Sequence, residues 1–86
     1  MFKGYIKVIR PVCGNISAEH RKAWVGCVLP YWRYNQHKDG YSVPQDMALA
    51  VLADRSPEAV ESYRTRGFPY QGGGFLFEAK TVEPHS

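Results

Sequence analysis

Apolar and polar positions alternate at the two ends of the chain and take up helical spacing in between. In residues 2–12, Tyr5, Ile6, Val8, Ile9 and Val12 are interleaved with basic side chains. Their β-branched and aromatic content predicts a strand, ended at Pro11. Residues 13–22 are polar, contain a glycine and read as a loop. Residues 23–30 (AWVGCVLP) are more continuously apolar and predict a second, more buried strand, with Gly26 marking a bulge or a close backbone approach. Residues 31–38 mix aromatic and polar side chains. Asp39-Gly40 is a turn pair, and residues 41–43 return as a short strand. Toward the other end, residues 75–79 (FLFEA) predict a strand by aromatic content, and residues 82–84 close the fold.

The middle is helical. In residues 56–67, Ser56 offers an oxygen to the orphan amides of a first turn, and Pro57 fits the first helical position without losing a needed donor. Glu58 stands at the positive end of the macrodipole, Arg64 and Arg66 at the negative end, and Gly67 suits a left-handed cap. Residues 45–53 (QDMALAVLA) are ambiguous, because as a strand they form a buried run. As a helix they place Ala48, Val51 and Leu52 on one face, with Ser42 and Gln45 spaced for a capping box. Alanine, methionine, leucine and glutamine favour the helix. Residues 68–74 form an irregular loop. The pattern predicts core positions at Val8, Trp24, Val28, Leu49, Leu52, Val60, Tyr63, Phe75 and Phe77.

Composition narrows the function classes. The 86 residues are 44% hydrophobic, with a net charge of +3. That length suits one domain burying roughly 60–65% of its unfolded surface, with a margin of a few kcal/mol. The mild basicity suits an acidic partner, and suits solubility equally well. Residues 1–12 interleave Lys3, Lys7 and Arg10 with apolar residues instead of forming a leader, and no apolar run approaches the roughly 18 residues of a membrane span. The expectation is a cytoplasmic protein with no membrane partner, in which Cys13 and Cys27 are reduced thiols and the 15–17 sequon is idle.

Candidate chemistry is sparse. The glycine triplet at 72–74 precedes a strand and lacks a P-loop lysine, so it reads as a hairpin or wing loop rather than a phosphate cradle. Cys13, His20, Cys27 and His37 do not form the close pairs usual for zinc, and no metal or cofactor is predicted. Ser17 and His20 lack an orienting carboxylate and an oxyanion site, so no catalytic residue is assigned. The run Tyr31, Trp32, Arg33, Tyr34 to Lys38 differs in kind: it interleaves rings that stack bases with cations that neutralise phosphates. The competing reading puts Trp32 and Tyr34 in the core and leaves Arg33 and Lys38 wet.

Two resemblances follow. FKGYIKVIRPV, then KAWVGCVLPY, a turn and GYSV resemble the opening of the Src-homology-three-like small barrels, and FLFEAKTVEP resembles their closing strand and short helical turn. The AW-x-G and GY-x-V elements are also similar to plasmid-borne type II dihydrofolate reductases, which share that barrel. Their short active-site strand has no counterpart here, so no reductase activity is implied. Residues 41–83 are instead similar to the winged helix-turn-helix of phage excisionases and MerR-type regulators. This second resemblance implies a first helix at 45–53, a recognition helix at 56–66, a wing at 70–78, and Arg55, Arg64 and Arg66 facing a duplex. Glu58 and Glu61 on that recognition helix depart from it.

The expected fold is α+β: a small, bent antiparallel sheet of four or five strands, as a partial barrel, with helices inserted at about 45–53 and 56–66. The expected function is that of a non-enzymatic binding module associated with DNA or RNA. Tyr31, Trp32, Arg33, Tyr34, Lys38, Arg64 and Arg66 are its candidate contacts. The competing class is an accessory module that binds another protein or itself through exposed aromatic residues or a strand edge.

Overall fold

The computed structural model describes residues 2–13, 16–66 and 74–85. In chain order these form β1 (Gly4–Val8), α1 (Ala18–Lys22), β2 (Val28–Tyr31), β3 (Arg33–Asn35), β4 (Gly40–Pro44), α2 (Gln45–Ala53), α3 (Pro57–Arg66), β5 (Gly74–Glu78), a 3-10 turn (Ala79–Thr81) and β6 (Val82–His85). The fold is α+β, with α2 and α3 inserted between β4 and β5 and α1 between β1 and β2. The strands form two antiparallel three-stranded sheets, in the orders β2-β1-β6 and β3-β4-β5.

The two sheets are joined where strands pass from one to the other. The run from Val28 to Asn35 pairs first with β1 and then, beyond Trp32, with β4. The Trp32 amide donates to the Ser42 carbonyl at 3.0 Å, so the bend itself is tied to the second sheet. Such corners let a short chain fold one set of strands over another. The 3-10 turn makes the second crossing, from β5 to β6, held by Thr81 Oγ1 donating to the Glu78 carbonyl at 2.7 Å. The Ile9 and Arg10 amides donate to the Thr81 carbonyl at 2.8 and 3.2 Å and bind this turn to the end of β1.

Side-chain alternation decides the core. Ile6 and Val8 point inward from β1 while Tyr5 and Lys7 point out. Ile6 lies opposite Leu29, and Lys7 opposite Val28. Leu29 is therefore buried and Val28, expected in the core, is exposed, because a one-residue slip exchanges the faces of a strand. Leu49 is half-buried, its helix presenting Ala48 and Leu52 to the core instead. The other predicted core residues are buried.

Three further readings are corrected. Residues 18–22, expected as loop, are helical: the Ser17 Oγ accepts from the His20 amide at 3.3 Å, and the Arg21 Nε donates to the Ile16 carbonyl at 3.0 Å. Residues 23–27, expected in a strand, form a turn in which Gly26 has φ of 96°, a conformation open to glycine and strained for other residues. Ser42 does not cap α2; it lies within β4, buried, and its hydroxyl has no hydrogen-bond partner among the described residues. Ser56 does cap α3, accepting from the Ala59 amide at 3.2 Å. The loop of 68–74 and the cap at Gly67 fall, apart from Gly74, outside the described residues.

Trp24 occupies the centre. It is fully buried, with its ring 5.7 Å from Tyr63, 5.3 Å from Phe75 and 5.1 Å from Phe77. Its indole Nε1 donates to the Tyr63 hydroxyl at 2.9 Å. Burial pushes the Tyr63 phenol above its ordinary value, with the bond from Trp24 acting the other way. A phenol raised by folding keeps its stabilising neutral form below pH ~10 and loses that contribution as alkali ionises the unfolded chain first. Tyr63→Phe leaves the indole donor without its acceptor, so urea denaturation at neutral pH is expected to show a loss of about 1–3 kcal/mol. The same variant should show a shallower loss of stability above pH ~10 than the parent; equal alkaline slopes would contradict the assignment.

Candidate functional site

The aromatic-cationic run lies at the corner between the sheets. Tyr31 ends β2 half-buried, with its ring edge-on to Tyr41 at 4.8 Å and 71°. Tyr41 stands opposite Tyr34 in the β3–β4 ladder, and their rings are 5.1 Å apart. Trp32 and Tyr34 are each 42% exposed, so neither is a core residue. Arg33 is exposed on β3, opposite Ser42. Lys38 lies in the following turn, where its amide donates to Asn35 Oδ1 at 3.1 Å. Asp39 completes that turn with φ of 49°.

Asp39 brings a carboxylate to this surface. The Tyr34 hydroxyl donates to Asp39 Oδ1 across the hairpin. This bond pushes the phenol upward, because ionising it would set two negative charges side by side. It also fixes the ring beside the turn. Arg33 and Lys38 are the cations of the same strand and turn.

Of the seven candidate contacts, Tyr31, Trp32, Arg33, Tyr34 and Lys38 lie along this one bend, strand and turn; Tyr41 joins the rings of Tyr31 and Tyr34, while Arg33, opposite Ser42, alternates to the other face of β3. Arg64 is exposed on α3, a helix whose main packing partners are α2 and α1, so it stands on a different support. The Arg66 side chain lies outside the described residues. Arg55 is oriented by the core, its Nη1 donating to the buried Cys27 Sγ at 3.3 Å.

A second constellation escaped the sequence reading. Glu58, Glu61, Ser62 and Thr65 share one face of α3 and, with His20 of α1, line an open hollow of about 400 Å³. His20 Nδ1 and Ser62 Oγ are 2.8 Å apart. The helical spacing of the four α3 residues was visible, but their approach to His20, 42 residues away, depends on tertiary packing. A hydroxyl–imidazole pair suits nucleophilic chemistry only with an orienting group on the second ring nitrogen and donors for an oxyanion. Among the described residues the second His20 ring nitrogen makes no hydrogen bond. Ser17, three residues before His20, is occupied as the cap of α1.

The described residues also include no group of three His, Cys, Asp or Glu arranged to hold a metal ion. Cys13 is an exposed free thiol and Cys27 a buried one. What desolvation Cys13 feels, together with the neighbouring Glu78, raises its thiol above the ordinary value, which disfavours the thiolate and hence nucleophilic attack. No helix of the described residues is long and apolar enough to cross a membrane.

No protein-family model, curated protein or solved structure matches this chain. The site's least ordinary local contact has a direct readout: spectrophotometric titration should find Tyr34 ionising above a free phenol, and Asp39→Asn should bring it back toward the ordinary range. An unchanged titration curve in the variant would remove Asp39 as the cause.

Proposed function

We propose that this chain is a small binding module whose ligand is nucleic acid, held at the sheet corner around Trp32. The observation that carries the reading is the exposure of Trp32 and Tyr34 on a bend and strand that also carry Arg33 and Lys38. Rings left half in water at a charged strand have a π-face to offer a base, and the neighbouring cations have phosphates to meet. The net charge of +3 acts in the same direction.

The Src-homology-three-like reading of the fold is supported by two features. The second strand bends at Trp32 and serves both sheets, and a 3-10 turn precedes the last strand. On this reading α2 and α3 are an insertion between the third and fourth barrel strands. The winged-helix reading has less support. Residues 74–78 of its wing pair with Gly40–Pro44, and residues 70–73 lie outside the described part. Its recognition helix buries Ala59, Val60 and Tyr63, and exposes Glu58 and Glu61.

The test is a gel shift with short DNA and RNA at low and moderate salt. If Arg33, Lys38 and one further cation each meet a phosphate, log K should fall with log salt at a slope of about −2 on a single strand. Arg33→Ala should reduce that slope by about 0.7 while the protein stays folded. No shift at about 50 μM protein, or binding indifferent to salt, overturns the reading. A stable dimer in light scattering that buries Trp32 and Tyr34 would favour the self-association reading instead.

A further inference from the structure

We infer that the ligand of this corner is single-stranded nucleic acid, and that the start of β1 forms the second half of its binding surface; the inference rests on the nucleic-acid reading above. The antiparallel register carries Phe2–Tyr5 alongside Pro30–Trp32. Gly4 lies opposite Tyr31, Tyr5 lies opposite Pro30, and the Lys3 amide donates to the Tyr31 carbonyl at 2.9 Å. Phe2 is 41% exposed and Tyr5 51% exposed. With Trp32 and Tyr34 they are four of the six large apolar side chains left exposed among the described residues, and Lys3 and Arg33 stand among them.

By this register Lys3 and Tyr5 share the outward face of β1 with Pro30 and, one position on, Trp32, which makes these residues one stacking surface, while Phe2 falls on the alternate face. Strand residues advance about 3.3 Å each and alternate faces, so rings two positions apart are spaced for successive bases of an extended strand. Paired bases in a duplex present only their edges, and their faces are already stacked, so a surface of half-exposed rings gains little from them.

The helices give the complementary argument. A duplex reader commonly sets a cationic helix in the major groove. On α3, Glu58 and Glu61 balance Arg64 and Arg66, and α2 carries Asp46 with no basic residue. Only α1 has a net positive charge, from Arg21 and Lys22 against Glu19, and its five residues are too short to span a groove. The described structure thus has stacking faces and lacks a groove-entering helix, which selects the single strand.

Trp24 is buried and hydrogen-bonded to Tyr63, so base stacking should quench the fluorescence of Trp32 alone. The full chain is titrated with a deoxythymidylate oligomer of about ten nucleotides and with a duplex of the same length, at one salt concentration. Labelled-oligomer anisotropy provides a second signal. The single strand is expected to bind at least about tenfold more tightly than the duplex and to quench Trp32. Tyr5→Ala, an exposed position, is expected to weaken single-strand binding by about 5- to 150-fold without changing the circular dichroism spectrum. Equal or tighter duplex binding, or an unchanged affinity in Tyr5→Ala, overturns this inference and leaves the nucleic-acid reading standing. Binding to neither probe overturns both.

Discussion

The indole of Trp24 is the contact on which the rest of the structure depends. It comes from a turn, not from a regular element, yet it touches α3 through Tyr63 and β5 through Phe75 and Phe77. Its nitrogen has a partner in the Tyr63 hydroxyl, so this large side chain is buried without an unsatisfied donor. A domain of 86 residues has a thin margin, and losing a side chain of this size costs about 3–5 kcal/mol, close to all of it. The turn that delivers Trp24 is tied to β1: the Gly26 amide donates to the Val8 carbonyl at 2.8 Å, and the Val8 amide to the Cys27 carbonyl at 2.9 Å. One side chain thereby links the first sheet, the last helix and the second sheet.

That linkage has consequences for the surface. With the inner faces of both sheets committed to the Trp24 cluster, the alternation of β1 and β2 forces Tyr5, Lys7 and Val28 outward. The chain then bends at Trp32 to reach the second sheet, which leaves that ring in solvent. Gly40 permits the close pairing on the other side of the hairpin, since a Cβ there would stand 2.9 Å from the Phe77 carbonyl. The exposed aromatic residues are therefore a product of how the core is filled, and the proposed binding surface stands on the sheets beneath it.

What could be read from the sequence follows physical range. α3 was legible because Ser56 and Pro57 are local signals, and β5 because the aromatic content of FLFEA favours a strand. α1 was not, since AEHRK has no apolar periodicity and is held by a cap and by its packing on α3. Trp24 was correctly placed in the core but on the wrong element, because apolar content around Gly26 looks the same in a strand and in a buried turn. The Val28–Leu29 slip arose because a continuously apolar run carries no record of which residue faces in. Of the candidate site, the contiguous part from Tyr31 to Lys38 was visible. Its neighbours Lys3 and Tyr5 depend on the β1–β2 register, and the approach of Ser62 to His20 depends on helix packing.

The central claim is that the two sheets and α3 form one cooperative unit because they share the Trp24 cluster. Native-state hydrogen exchange tests it directly. The amides of Ile6 and Val8 in the first sheet, Val43 in the second and Tyr63 in α3 are predicted to exchange through the same global opening, with equal free energies and equal denaturant dependence. Exchange of one sheet at a free energy well below the other, with its own denaturant slope, would show that the sheets open independently and that Trp24 does not unite them.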